Sequence, residues 1–281
     1  MFKSLSPGAI GVKVENLEQG LELAARHGFA GYHFNIAEAN ALGVAQTQDL
    51  AAAKGVRLSA WSFPLDFRSA AQEYQESLAA LPQLARTAEE LGVLRTATWI
   101  SPASDDLSYE ENFDFHLQQL KPAAAVLADC GIRLGLEYIG PKTLRAGKKH
   151  SFAHTMEQMG ELCAAIGDNV GFLLDSWHWY TAHETADQLR QLKVEQAVDV
   201  HVNDAPADVP IDEQIDNVRT LPGATGVVDI VTFLTVLQEL GYDGPVMVEP
   251  FNEALRQMAA DEACAATAAA LDKVWVQAGL S

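Results

Sequence analysis

The sequence predicts a single (β/α)₈ barrel domain over residues 1–281, on three observations. Short β-rich segments alternate with longer amphipathic segments along the whole chain. Glycine repeatedly separates a helical segment from the next strand, as at Gly28, Gly92 and Gly131, where a left-handed helix C-cap is expected. The stretch after Val14 lacks the G-x-G-x-x-G turn typical of a doubly wound open sheet, which is the alternative fold. The barrel is therefore favoured, and the chain length is ordinary for one.

Eight short segments, rich in β-branched, aliphatic and aromatic residues, are candidate strands. In chain order they are Ile10–Val14, Gly31–Phe34, Val56–Trp61, Leu94–Ile100, Ile132–Tyr138, Val170–Leu174, Ala197–Val202 and Pro245–Val248. Between them, apolar residues three and four positions apart predict amphipathic helices, most clearly over Leu17–His27, Gln72–Leu91 and Ile230–Leu240.

The segment from Asn203 to Gly226 interrupts this alternation. It is rich in proline and glycine and has no helical period. A loop of this length in a compact domain usually has a function, often as a lid or binding loop. We therefore predict that it helps to exclude water from the mouth of the barrel.

The composition restricts the partners of the chain. The formal net charge is −19, from 19 basic and 38 acidic residues, which disfavours nucleic acid and anionic membranes. A basic cluster, Lys142, Arg145, Lys148, Lys149 and His150, can reverse the field locally in one cleft. A solvated loop is the alternative interpretation of that cluster.

The sequence favours a cytoplasmic protein. No apolar run approaches the roughly 20 residues of a membrane span, and the N-terminus lacks the apolar region of a signal peptide. The three cysteines do not suggest a disulfide framework. A small-molecule substrate is the expected partner, and a homo-oligomer is left open.

Four consecutive candidate strands end in polar residues, at the end of a barrel where active sites lie. Glu137, Asp175, His201 and Glu249 each follow a run of apolar residues. Singly, each could be a satisfied polar residue at a strand end. Three carboxylates in one barrel mouth would repel one another, however, and a divalent cation would relieve that repulsion. We therefore predict one metal ion, with Mn²⁺ first and Mg²⁺, Co²⁺ or Zn²⁺ as alternatives.

These residues resemble motifs of the xylose-isomerase-like TIM barrels, also called the sugar phosphate isomerase/epimerase family. That family includes ketose 3-epimerases, hydroxypyruvate isomerase, inosose isomerase and inosose dehydratase. The resemblance covers nearly the whole chain. Its motifs are LGLEYIG with Glu137, LDSWHWY with Asp175 and His178, VHVND with His201, and VMVEPF with Glu249.

The resemblance implies roles for individual residues. It assigns the metal to Glu137, Asp175, His201 and Glu249, and makes the two glutamates the acid and base on opposite faces of the substrate. It also implies that His178 contacts a substrate oxygen beside the metal.

The roles of His178 and Arg219 have alternatives. His178 could instead cap the sixth helix or pack among the neighbouring tryptophans. Arg219 matches by position an arginine that contacts substrate in some members of the family. The alternative is a surface arginine that pairs with Asp212, Glu213 or Asp216.

The chain departs from the ketose 3-epimerases after Glu137, where no second carboxylate follows within a few residues. Lys142 or Arg145 could instead meet a phosphate or carboxylate group at the rim of the site. Trp61 and Trp99 are candidate sugar platforms, and packing at the barrel mouth is the alternative for both.

The favoured reaction is isomerisation or epimerisation of a keto sugar or sugar derivative, by proton transfer through a metal-stabilised enediolate. A lyase is the first alternative, because the same enediolate can expel a β-hydroxyl group. A sugar-binding barrel without activity, or a subunit of a complex, is the second. Phosphodiester cleavage of the endonuclease IV type fits poorly, because it requires further metal ligands and binding to DNA.

Overall fold

A computed structural model describes residues 1–280 and contains a closed barrel of eight parallel strands, which confirms the predicted fold. The strands are β1 Phe2–Leu5, β2 Gly31–Phe34, β3 Arg57–Ser62, β4 Arg95–Ile100, β5 Arg133–Tyr138, β6 Val170–Asp175, β7 Ala197–Val202 and β8 Pro245–Val248. Each strand pairs with the next along the chain, and β8 pairs with β1 to close the barrel. A separate two-stranded sheet joins Ala103–Ser104 to His150–Ser151.

Helices follow the strands and cover the outside of the barrel. They are α1 Leu17–Arg26, α2 Ile36–Leu42, α3 Val44–Lys54, α4 Ala71–Glu90, α5 Tyr109–Asp129, α6 Met156–Ile166, α7 Ser176–Thr181, α8 Ala186–Leu189, α9 Ile230–Glu239, α10 Glu253–Arg256 and α11 Ala260–Gln277. Every residue of β6 and β7 is buried, as expected for parallel strands packed on both faces. Within residues 1–280 no helix combines the length and apolar character that crossing a bilayer requires.

The prediction for the first strand is wrong. The strand lies at Phe2–Leu5, and the predicted segment Ile10–Val14 starts at the end of a 3₁₀ turn. That turn ends at Gly11, whose φ of 79° is a left-handed conformation that breaks an extended chain. The alternation of Ile10 and Val12 therefore reflects packing, since both side chains are buried without strand pairing. The other seven predicted strands agree with the structure to within one residue at each end.

The long segment after β7 forms an ordered loop, residues 203–229, which we call the β7–α9 loop. Asp204 and Thr220 pair through their backbones, with N–H···O distances of 3.0 and 2.9 Å. The Asp204 carboxylate also accepts the backbone N–H groups of Thr225 and Gly226 at 3.0 and 2.7 Å. The two ends of the loop are thereby fixed beside the carboxyl ends of the strands.

Candidate metal centre

The carboxyl ends of β5 to β8 bring together the side chains of Glu137, Asp175, His201 and Glu249. Each offers one ligand atom, and these atoms all lie within 4.8 Å of one another. Strand register accounts for part of this arrangement, because Asp175 and His201 are direct partners on β6 and β7. Glu249 follows the last residue of β8, at the same end of the barrel.

The chemistry of this cluster fits a divalent cation. Glu137 Oε1 and both ring nitrogens of His201 are buried and find no hydrogen-bond partner among residues 1–280. Burial and the nearby Glu249 carboxylate raise the pKa of Glu137 well above its ordinary range. A bound cation would satisfy the free atoms and offset the repulsion between the carboxylates. Three carboxylates and one imidazole are donors that Mn²⁺, Mg²⁺, Co²⁺ and Zn²⁺ accept.

Asn203 positions two members of the cluster, and sequence reasoning did not identify it. Its side-chain amide donates to both carboxylate oxygens of Asp175, at 3.1 and 3.0 Å. Its side-chain oxygen accepts the backbone N–H of Glu249 at 2.7 Å. A buried asparagine immediately after the strand that carries His201 was the available signal.

Arg219 reaches back from the β7–α9 loop to the cluster. Its guanidinium donates to Asp175 Oδ2 and to Asp216 Oδ1, both at 2.8 Å, and is almost fully buried. It also stacks on the Phe251 ring, with 4.6 Å between the guanidinium carbon and the ring centroid. The ion pair with Asp216, which belonged to the alternative, is therefore present, but Arg219 is buried and not a surface residue. The predicted substrate contact stays a prediction.

His178 lies beside the cluster and is fully buried. Its Nδ1 accepts the backbone N–H of Gly140 at 3.2 Å, and its Nε2 lies 3.6 Å from Glu137 Oε1. Burial, followed by the positive charge of Arg219, lowers the pKa of His178 well below its ordinary value. The ring is therefore neutral, and its Nε2 also lies 3.3 Å from Arg219 Nη2.

The mouth contains two cavities that share one wall. The barrel cavity, of about 450 Å³, lies between the strands and is lined by residues such as His33, Ser62, Asp199 and His201. The loop cavity, of about 540 Å³, lies under the loops and is lined by residues such as Pro102, Lys148, His178 and Arg219. The shared wall consists of Trp99, Glu137, Glu249 and Phe251.

Two further titratable residues, His33 and Asp199, face the barrel cavity, and sequence reasoning missed both. Burial lowers the pKa of His33 to about 4 and raises the pKa of Asp199 to about 6. His33 is a single polar residue among the aromatic residues of a four-residue strand. Asp199 lies two residues before His201, and the alternation of side chains along β7 turns both to the same face.

The basic residues of the rim lie in different places. Lys142 is exposed and forms an ion pair with Asp212 at 2.7 Å, whereas Arg145 donates to the backbone oxygen of Gly140 at 2.5 Å. Neither lines the two cavities. Lys148 does line the loop cavity, and it pairs with Asp105 at 2.7 Å.

The two tryptophans predicted as sugar platforms also differ. Trp99 is 48% exposed and belongs to the wall shared by the cavities. Trp61 is fully buried, and its indole N–H donates to the backbone oxygen of Val93 at 3.2 Å. The position of Trp61 gives it a packing role and does not support the predicted substrate contact.

The closed parallel barrel and the carboxylates at the carboxyl ends of its strands place this protein among the (β/α)₈ barrels with a candidate metal centre. This chain belongs to the xylose isomerase-like TIM barrel family, whose model matches residues 21–273. It is similar to a xylose isomerase domain protein from Alicyclobacillus acidocaldarius, with 30% identity, 99% coverage of both chains and a TM-score of 0.88.

Two further relatives are informative. The inosose isomerase of Bacillus velezensis is 25% identical over 190 residues, which is 67% of this chain and 65% of that protein. The alignment therefore spans just under two thirds of that relative. The crystal structure of the IOLI protein with a bound zinc atom has 22% identity, 98% coverage of both chains and a TM-score of 0.79, which shows the shared fold.

Proposed function

We propose that this protein is a divalent-metal-dependent isomerase or epimerase of a keto sugar or sugar derivative. The observation that carries the proposal is the position of two buried or half-buried carboxylates in the shared wall of the cavities. Glu137 and Glu249 line both cavities, with oxygens 4.0 and 3.4 Å from His201 Nδ1. A substrate in the mouth would therefore lie beside both carboxyl groups.

Glu137, Asp175, His201 and Glu249 would hold the metal ion, and Mn²⁺ is the ion that we propose first. When bound, the ion supplies Lewis-acid chemistry that polarises a carbonyl group. Mg²⁺, Co²⁺ and Zn²⁺ suit the same donors. The zinc atom named for the related IOLI structure supports including Zn²⁺ in any test.

The two glutamates have the proton-transfer role. One carboxylate takes the proton from the carbon next to the carbonyl group, and the other returns a proton to the opposite face of that carbon or to its neighbour. The first outcome is epimerisation and the second is isomerisation. The name of the Bacillus velezensis relative, an inosose isomerase, supports an isomerase that acts on a keto polyol.

The surrounding residues orient the substrate and exclude water. His178 lines the loop cavity, with its Nδ1 occupied by Gly140 and its Nε2 3.3 Å from Arg219 Nη2, and we propose that the two side chains together face a substrate oxygen there. Arg219 and Asn203 fix the Asp175 carboxylate from two directions. The β7–α9 loop carries Arg219 over the mouth, which limits access of water to the reacting carbon.

Metal titration and proton exchange test the proposal. Metal-free protein is titrated calorimetrically with Mn²⁺, Mg²⁺, Co²⁺ and Zn²⁺, then incubated in D₂O with a panel of ketohexoses and inososes. We expect one bound ion per chain, and metal-dependent incorporation of deuterium next to the carbonyl group.

Two results would contradict the proposal. Absence of a bound ion at saturating concentrations would remove its metal requirement. Formation of an unsaturated product with loss of water would identify a lyase, because an isomerase retains all substrate atoms other than the exchanged proton.

A further inference from the structure

Besides the predicted metal ligands, two residues of the barrel cavity have a buried polar atom without a partner. His33 Nδ1 and Asp199 Oδ2 make no hydrogen bond to any residue up to Leu280, and both residues line this cavity. Leaving a buried polar atom without a hydrogen-bond partner is unfavourable. These atoms are therefore suited to receive hydrogen bonds from a ligand.

The remaining contacts of the two side chains fix which atom faces the cavity. His33 Nε2 lies 3.1 Å from Ser62 Oγ, which leaves Nδ1 for a ligand. Asp199 Oδ1 accepts the backbone N–H of Val200 at 2.9 Å, which leaves Oδ2. Asp199 is 1% exposed, so it is not solvated by bulk water. Together the two residues present one carboxylate acceptor and one imidazole nitrogen.

The charges around the two cavities are different. No lysine or arginine of the described residues lines the barrel cavity, whereas the carboxyl groups of Asp199, Glu137 and Glu249 do. Lys148 and Arg219 line the loop cavity. A phosphate or carboxylate group in the barrel cavity would meet these carboxyl oxygens and no lysine or arginine side chain to pair with it. A hydroxyl group can donate to Asp199, and it can donate to or accept from His33.

We infer that His33 and Asp199 bind hydroxyl groups of an uncharged, polyhydroxylated part of the substrate in the barrel cavity. Any anionic group of the substrate would lie in the loop cavity. This inference rests on the proposed function, since Glu137 and Glu249, between the cavities, are taken to flank the reacting carbon. His33 and Asp199 are then specificity-determining residues for a neutral keto polyol.

The test measures binding rather than turnover. Mn²⁺-loaded protein is titrated calorimetrically with ketohexoses, inososes and their phosphate esters. The variants are Asp199→Asn and His33→Phe, with Asp243→Asn as a control at the opposite end of the barrel. We expect wild type to prefer a neutral ligand, and each cavity variant to weaken that ligand roughly tenfold or more. The control should bind like wild type.

Separate measurements distinguish the possible failures. Mn²⁺ affinity and melting temperature are recorded for every variant, and His33→Phe decides the outcome if Asp199→Asn does not fold. Unchanged binding of the neutral ligand by the folded variants would overturn the inference while the proposed function stands. The inference would also be overturned if wild type bound phosphate esters more tightly than neutral ligands and Lys148→Ala kept that preference. If wild type binds Mn²⁺ but neither binds nor exchanges any ketose, the proposed function fails, and the inference fails with it.

Discussion

The barrel cavity and the loop cavity share a wall but satisfy their polar groups differently. In the loop cavity, Arg219 is paired with Asp175 and Asp216, and Lys148 is paired with Asp105. In the barrel cavity, polar atoms of His33 and Asp199 remain without partners among the residues described. One cavity therefore has charges that the protein itself neutralises, whereas the other has atoms that a ligand can satisfy.

This difference separates structural effects from binding effects. Removing a paired, buried charge leaves its partner uncompensated, so the stability of the fold falls. Removing an unpaired polar atom should change the stability of the fold little, but it should weaken the binding of a ligand that forms a hydrogen bond with that atom. Substitution of Glu137 or Glu249, in the shared wall, should mainly affect proton transfer.

The largest expected effect concerns the shared wall. Glu137→Gln and Glu249→Gln should each lower turnover by roughly 10²–10⁴-fold, because the amide cannot carry the transferred proton. Both variants should also bind Mn²⁺ more weakly, because a ligand charge is lost. Turnover is therefore measured at saturating Mn²⁺, which separates proton transfer from metal binding.

Thermal unfolding provides the control for these variants. The pKa of Glu137 is raised by burial and by Glu249, so metal-free Glu137→Gln should be at least as stable as metal-free wild type. The Glu249 carboxylate lies 3.4 Å from His201 Nδ1 and 3.6 Å from Arg219 Nη1, so metal-free Glu249→Gln should be less stable than wild type. Near-normal turnover of either variant at saturating Mn²⁺ would rule out the two-carboxylate mechanism.

The next largest effect concerns Arg219 in the loop cavity. The substrate contact predicted from the sequence would by itself leave the stability and metal affinity of Arg219→Ala almost unchanged, but the structure changes that expectation. Arg219 is buried and holds both Asp175 and Asp216, so its loss should lower the free energy of unfolding by about 3–5 kcal/mol. Mn²⁺ affinity should fall as well, because Asp175 loses a partner that orients it.

Arg190→Ala is the matched control for Arg219→Ala. Arg190 also pairs with two carboxylates, those of Asp187 and Glu239, but all three side chains are largely exposed. Chemical denaturation should therefore show almost no change for Arg190→Ala. Equal stability of the two variants would show that the Arg219 pairs are not essential to the fold of the loop.

The part of the site on β5 to β8 was predictable for a simple physical reason. Glu137 and Asp175 each lie at the end of an apolar strand. A carboxylate at the end of a buried strand is unfavourable unless it has a partner such as a metal ion. Asn203 was not identified, because its role depends on the register between β6 and β7. His33 was missed because its strand has only four residues. So short a strand has no alternation of polar and apolar residues that would show whether His33 faces a cavity or packs in the core.

The fold itself was predictable where strand and helix alternate regularly, and less so at the N-terminus. Phe2–Leu5 is too short to show a strand period, whereas Ile10–Val14 has one without pairing. Trp61 and Trp99 both lie near the ends of their strands, but only the three-dimensional packing shows that Trp61 is enclosed. Solvent exposure is the property that local sequence determines least.

The smallest expected effect compares Lys142→Ala with Lys148→Ala. Both lysines are exposed and each pairs with an aspartate at 2.7 Å, but only Lys148 lines the loop cavity. Exposed ion pairs contribute little to stability, so neither variant should change the melting temperature appreciably.

With a neutral ketose, both should keep a KM close to that of wild type, because no anionic group needs neutralising. With a phosphorylated ketose, Lys148→Ala should raise KM roughly tenfold, the loss expected for one charge-assisted contact, and Lys142→Ala should leave it unchanged. Steady-state kinetics with both ketoses decide the point: a KM increase confined to Lys142→Ala would move the anion-binding position from the loop cavity to the outer rim.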